Sequence, residues 1–433
     1  MVETVSIEDI KRSALELIGQ TTRGDFAGVA DKFDDTMKNA LPQETLQELW
    51  KQLIGQLGPI VKVNGVNTTE VQGYRDIIVA CQFEKAAMDM HVLFNGQGRI
   101  SGLNFTPAAD SSAGGQYTPP FYVDPNAFMD TDVTVGGGEW ALPGTLSMPE
   151  GPGPFPGIVL VHGSGPNDRD ETIGPNKVFR DLAWGMASRG IAVVRYDKRT
   201  LVHRSKFTPE LSSNFTVKDE TVDDALLAVR LLRQTPKVDT KRIFVLGHSL
   251  GGMLLPWIGS LDTGLTGLII MAGSSRPIED SMLDQFTYIY GLSGAMSEQQ
   301  KSDLEKLKVQ VARAKSPELN ENTPRKDLPM GMWPVYVLSM RDYKPVETAR
   351  SLPMPILVLQ GGRDYQVMPA KDFEAWRAGL QDKANVSFKL FPKLNHLMIS
   401  GEGPCRPEEY SIGGHVSEDV LDTIVRWIKG VRD

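Results

Sequence analysis

The chain is 433 residues long, with 41% hydrophobic and 23% charged residues, a globular balance that excludes wholesale disorder. A formal net charge of −8 disfavours a nucleic-acid or anionic-membrane partner. Two cysteines, Cys81 and Cys405, are too few for a disulfide framework or a cysteine-based metal site, and no stretch approaches the roughly 18 apolar residues that span a bilayer.

In chain order, Ile7, Ile10, Ala14, Leu17 and Ile18 recur at helical spacing among charged residues, with Ser6 placed to cap the helix. This is an amphipathic helix and not a secretory signal. The chain as it stands therefore reads as cytoplasmic, or as an exported protein whose leader has been cleaved. Helical stretches follow at Phe26 to Phe33 and Thr45 to Leu57, then strands at Tyr74 to Phe83, Ala86 to Phe94 and Arg99 to Phe105. In the second strand Met88, Met90, Val92 and Phe94 alternate with Asp89 and His91, and Asn95-Gly96-Gln97-Gly98 supplies a hairpin turn. Residues 1–107 are thus expected to form a small α+β domain, followed by a Gly, Ser and Pro-rich linker over residues 108–130.

Residues 131–433 alternate short apolar runs with amphipathic stretches. The runs stand at Gly157 to Val161, Ile191 to Tyr196, Ile243 to Leu246, Leu268 to Met271, Ile356 to Leu359 and Val386 to Phe391. Continuous apolar strands separated by helices predict a doubly wound, mostly parallel α/β sheet covered on both faces. One connection is far too long for a crossover: about 80 residues separate Met271 from Ile356, where about 10 to 12 would suffice. It holds a charged amphipathic segment, Ser297 to Lys315, and a stretch with Met330, Met332 and Trp333. The reading is a helical cap over about residues 276–345, its methionines either shaping an adaptable apolar pocket or filling the cap's own core.

Gly247-His248-Ser249-Leu250-Gly251 follows an apolar strand and precedes a helical run. The five-residue pattern alone is a weak signal; the strand, turn and helix around it make Ser249 a candidate nucleophile on a tight turn that larger flanking side chains would block. A serine needs a base. Of six histidines, His91 alternates within a strand, His203 lies in a polar loop, and His162 and His248 sit inside glycine motifs. His396, in the loop after the last strand, is the favoured base; His415, before the final helix, is the alternative. Asp364 ends the strand Ile356 to Leu359 and is placed to orient the imidazole, giving the order Ser249, Asp364, His396. The oxyanion donors are expected to be the N–H groups of Ser164, in His162-Gly163-Ser164-Gly165, and Leu250, with Gly163 the alternative to Ser164. The polar run Asn167 to Glu171 reads as a self-paired loop. No H-E-x-x-H zinc motif, P-loop or dinucleotide fingerprint occurs, so neither metal nor cofactor is expected.

The runs His162 to Glu171, Tyr196-Asp197-Lys198-Arg199, Gly247 to Gly252, Gly361 to Val367 and Leu394-Asn395-His396-Leu397 resemble bacterial α/β-hydrolases, mostly carboxylesterases. Those relatives carry an extra N-terminal domain similar to the nuclear-transport-factor-like cone fold. The resemblance implies the same triad, Ser249, Asp364 and His396, and a small-molecule ester as substrate. It leaves open peptidase, thioesterase, lactonase or acyltransferase chemistry on the same groups, and a non-catalytic binding protein on a hydrolase scaffold. The expected protein partner is a second copy of the chain, meeting through the N-terminal domain or the cap.

Overall fold

A computed structural model of the chain describes residues 6–71, 74–84, 86–107, 117–292 and 294–430. The chain divides into two compact units, Met1–Gln116 and Tyr117–Asp433. In the first, Ser6 accepts the Asp9 N–H at the start of the helix Ile7–Thr22, as its position predicts. The helices Phe26–Ala30, Asp35–Ala40 and Gln43–Leu57 follow. Four antiparallel strands then run in sequential order: β1 Ile60–Val71, β2 Tyr74–Phe83, β3 Ala87–Phe94 and β4 Ile100–Pro107. Ile77, Val79, Cys81 and Phe83 alternate onto one face of β2 and meet Ile10, Ala14 and Leu17 of the first helix in a shared core. The sequence reading missed β1, because it is an edge strand with mostly exposed side chains and two breaks in its pairing register; a period-2 pattern needs one buried face.

Residues 108–116 of the expected linker lie outside the described residues. From Tyr117 onward the chain is packed into the second unit: Tyr122 is buried and its hydroxyl donates to the Val416 carbonyl. The second unit is built on strands β5 Phe128–Val135, β6 Leu142–Pro149, β7 Phe155–Val161, β10 Ala192–Tyr196, β11 Val238–His248, β12 Gly267–Met271, β13 Ile356–Gly361 and β14 Val386–Phe391, with the short pair β8 Thr172–Ile173 and β9 Asn176–Lys177 outside the main sheet. The sheet order is β14-β13-β12-β11-β7-β10-β6-β5, parallel from β14 to β10 and antiparallel at β6 and β5. The fold class is therefore the mostly parallel, doubly wound one expected. β5 and β6 escaped the sequence reading for two reasons: β5 is a largely exposed edge, and β6 carries two prolines and a glycine, which weaken any strand signal.

Each central strand supplies two cores. Val159 and Val161, Val245, Leu268 and Ile270, and Ile356 and Val358 face the helices Asp223–Gln234, Leu250–Leu261, Pro345–Ser351 and Glu374–Leu380. Their neighbours Ile158 and Leu160, Phe244 and Leu246, Ile269 and Met271, and Leu357 and Leu359 face Val178–Ala187 and Glu418–Lys429. This is why the strands read as unbroken apolar runs.

Between β12 and β13 come the helices Ile278–Gly291, Glu298–Lys315 and Pro334–Met340, then Pro345–Ser351, whose Ala349 rejoins the sheet's core. The inserted segment has a small core of its own, Ala314, Leu319, Leu328 and Val337, and Met332 packs against it. It is tied to the loop after β13, where Tyr288 stacks on Tyr365 with ring centroids 5.1 Å apart and Gln285 donates to the Gln366 carbonyl. Among the described residues no helix is long and apolar enough to cross a membrane.

Candidate active site

The parallel strands end on one edge of the sheet, and the sequence-predicted residues stand there. β11 ends at His248 and the helix Leu250–Leu261 starts two residues later, so Ser249 alone makes the turn, at φ 53° and ψ −116°. A non-glycine residue there is strained by about 1 to 3 kcal/mol and persists only when its surroundings over-determine it. They do: its N–H donates to the Met271 carbonyl at 3.0 Å and its carbonyl accepts from the Met253 N–H at 3.0 Å. A side chain on Gly247 would meet Gly251 at 2.4 Å, and one on Gly251 would meet the Val161 carbonyl at 2.3 Å, so both flanks must be glycine for the turn to close.

Asp364 follows β13 and His396 follows β14, the neighbouring strand. His396 Nδ1 lies 2.8 Å from Asp364 Oδ2, and both residues are buried. The carboxylate is fixed independently of the histidine. Its Oδ1 accepts the N–H groups of Gln366 and Val367 at 2.8 and 2.9 Å, and its Oδ2 also accepts from Gln360 Nε2 at 2.9 Å. Among the described residues no hydrogen bond joins the Ser249 hydroxyl to His396. The ring of His248, the residue before Ser249, has its centroid 4.7 Å from that of His396.

The loop after β7 passes directly over the turn: a Cβ on Gly163 would sit 3.1 Å from Ser249 Cβ. The Gly163 N–H is already committed, donating to Glu171 Oε1 at 2.8 Å. Of the two amides weighed from the sequence, that of Ser164 is the one without a hydrogen bond among the described residues. Leu250 is the first residue of its helix, and the opening N–H groups of a helix have no partner within it.

The side chains of the polar run Asn167 to Glu171 pair mostly with residues outside it and not, as expected, with one another. Asp168 accepts from Thr172, Arg169 binds Asp197 through two nitrogens, and Asp170 binds Arg195. Glu171 does the same: it is buried, and its Oε2 lies 2.9 Å from His248 Nδ1. His248 Nε2 donates to the His396 carbonyl at 3.0 Å. Burial alone would lower the His248 pKa, but the charge and hydrogen bond of Glu171 carry it above its ordinary value. Burial would raise that of Glu171, but the charge and hydrogen bond of His248 hold it below the usual carboxylate range. Both ring nitrogens of His248 face acceptors, Nδ1 the carboxylate and Nε2 a carbonyl, the arrangement that suits an imidazolium beside a carboxylate.

The sequence reading did not single out Glu171 or Lys198, whose buried Nζ donates to the Gly163 carbonyl at 2.7 Å. The remaining histidines are engaged elsewhere. His415 lies 3.2 Å from both oxygens of Asp181, His162 stacks on Phe179 and donates to the Tyr196 carbonyl, His203 meets the Ala141 carbonyl, and His91 pairs with Asp76. Of the cap residues weighed for a pocket, Met330 lines a cavity of about 380 Å³ with Phe286, Tyr290, Leu304 and Leu307. Trp333 is covered by the Arg325 guanidinium, 4.1 Å from its ring. Among the described residues no three His, Cys, Asp or Glu side chains stand together as a metal would require.

Comparison with known proteins agrees with this architecture. Residues 158–410 match the model of the alpha/beta hydrolase family, and residues 14–103 match that of a protein of unknown function (DUF3887). Esterase EstD of Thermotoga maritima is 37% identical over 418 residues, covering 96% of this chain and 95% of its own. Among solved structures, Est1E of Butyrivibrio proteoclasticus is 15% identical over 69% of this chain and 98% of that one, with a TM-score of 0.43. The hyperthermophilic esterase of Pyrobaculum calidifontis is 15% identical over 70% and 85%, also at 0.43.

Proposed function

The chain belongs to the alpha/beta hydrolase family, and from that premise we propose that it hydrolyses small carboxylic esters, of short to medium acyl chain, through an acyl-enzyme on Ser249. The observation that carries the reading is the buried His396–Asp364 pair at 2.8 Å, standing beside a strained serine that the Gly163 loop covers. Asp364, held by two backbone amides, sets the imidazole with its proton on Nδ1. That leaves Nε2 as the acceptor for the serine proton. The serine–histidine hydrogen bond is expected to form when substrate binds, since such bonds are often long without it.

Ser249 Oγ attacks the carbonyl carbon as its proton passes to His396 Nε2. The carbonyl oxygen becomes an oxyanion that the Ser164 and Leu250 N–H groups receive. Collapse expels the alcohol, which takes the proton from His396 and leaves the acyl group on Ser249. Water attacks that ester with His396 as base again and releases the acid. The kinship with a named esterase favours oxygen esters over thioesters, lactones or amides.

The test is a panel of p-nitrophenyl esters of increasing chain length, with thioesters, lactones and aminoacyl amides, run on the parent and on Ser249→Ala. Ester turnover and labelling by a fluorophosphonate should both vanish in the variant. A folded Ser249→Ala protein that still takes the label would refute the nucleophile assignment.

A further inference from the structure

Lys198 is buried, 2% exposed, directly behind the loop that covers Ser249. A lysine in such a place must be paired, because an isolated buried charge is too costly to keep. Its partner is Glu220, with Nζ to Oε1 3.1 Å, yet its shorter contact, 2.7 Å, is to the neutral carbonyl of Gly163. That carbonyl belongs to the peptide whose nitrogen is Ser164. In a trans peptide the C=O and the following N–H point in opposite directions, so a cation holding the oxygen on one side turns the Ser164 N–H to the other. Gly163 is also held at its own N–H by Glu171. Two charged side chains thus fix the peptide groups on both sides of one glycine. Glu220 is anchored in turn, since the Tyr336 hydroxyl of the helix Pro334–Met340 donates to its Oε2 at 2.5 Å.

We propose that Lys198 is a positioning residue for ester hydrolysis: its ammonium aims the Ser164 N–H at the oxyanion and polarises that peptide, so that its absence weakens transition-state binding more than substrate binding. This rests on the reading of Ser249 as nucleophile and Ser164 as oxyanion donor. A hydrogen bond to a peptide oxygen strengthens the same peptide's N–H as a donor, and the gain grows as negative charge develops opposite it.

The experiment uses the full chain carrying Lys198→Met with Glu220→Gln, which removes both charges and leaves neither buried alone. Steady-state kinetics on a short p-nitrophenyl ester are compared with inhibition by an alkyl trifluoromethyl ketone, which forms an oxyanion adduct with an active serine. Loss of a whole oxyanion donor costs about 10²- to 10³-fold in kcat; a misaimed and less polarised one should cost about 10- to 100-fold, with KM changed less than about threefold and ketone affinity weakened in step with kcat. If the double variant does not fold, Glu220→Gln alone, which frees Lys198 from its anchor, should show the same split to a smaller degree. Unchanged kcat and ketone affinity in a folded variant overturn the proposal, provided Ser249→Ala is inactive in parallel. Full activity in Ser249→Ala instead overturns the underlying reading.

Discussion

Two imidazole–carboxylate pairs lie side by side at the edge of the sheet, and their contacts at Nδ1 are nearly the same: 2.8 Å for His396 with Asp364 and 2.9 Å for His248 with Glu171. The difference lies in the other ring nitrogen. His248 Nε2 donates to the His396 carbonyl, so that ring must carry a proton on Nε2 and serves as a brace. His396 Nε2 has no hydrogen-bond partner among the described residues and is available to a reacting proton. A carboxylate beside a histidine therefore does not by itself mark a base; the destination of the second nitrogen does.

The comparison is broken most directly at Asp364. Asp364→Asn should lower kcat by about 10⁴-fold, because the amide holds the wrong imidazole tautomer, with little change in thermal unfolding. The corresponding loss at the brace should reverse the balance. Glu171→Ala should cost about 3 to 5 kcal/mol of stability, since it strands a buried charge, and should reduce activity less than Asp364→Asn does. Chemical denaturation and steady-state kinetics on the two variants separate the roles.

The brace also predicts a pH signature of stability. Glu171 is depressed below its ordinary value, so its contribution is complete above about pH 4.5 and is lost as pH falls through the native value. His248 is raised, so its contribution is complete below about pH 6.5 and is lost as pH rises through the native value. The pair stabilises most between those limits. Melting temperatures of the parent and of Glu171→Gln should differ most near pH 5 to 6 and converge toward alkaline pH; a constant gap would show that no charge is shared there. The smallest effect is expected at His415, engaged by the buried Asp181: His415→Ala should change kcat by less than about twofold, because Asp181 keeps the Tyr117 hydroxyl and the Val416 N–H as donors.

The same contrast explains what could be read without coordinates. Asp364 and His396 each follow an apolar strand, and a strand end is a local signal; the hydrogen bond between them spans residues that the sequence had already paired. Lys198 also follows an apolar strand, β10, but its residue type gave it no place in the triad sought there, and Glu171 sits in a polar loop well past the end of β7. Their partners lie 35 and 77 residues away, and a charged residue in a polar loop looks the same whether it faces water or a buried imidazole. At the fold level, β7 and β10 to β13 were visible because their apolar runs are buried on both faces, and β14, an edge with half its residues exposed, through the apolar Val386, Phe388, Leu390 and Phe391; β1 and β5 are exposed edges whose side chains carry no sustained apolar pattern.

The alternation of each central strand between two cores has a further consequence for how such a molecule can diverge. One added residue within β11 would exchange Val245 with Leu246 across the sheet and swing Ser249 off its turn, so an insertion in that strand should be poorly tolerated. The long segment after β12 closes on a small core of its own and obeys no such parity. Lengthening, trimming or replacing helices is therefore expected to be tolerated there more readily than in the strands.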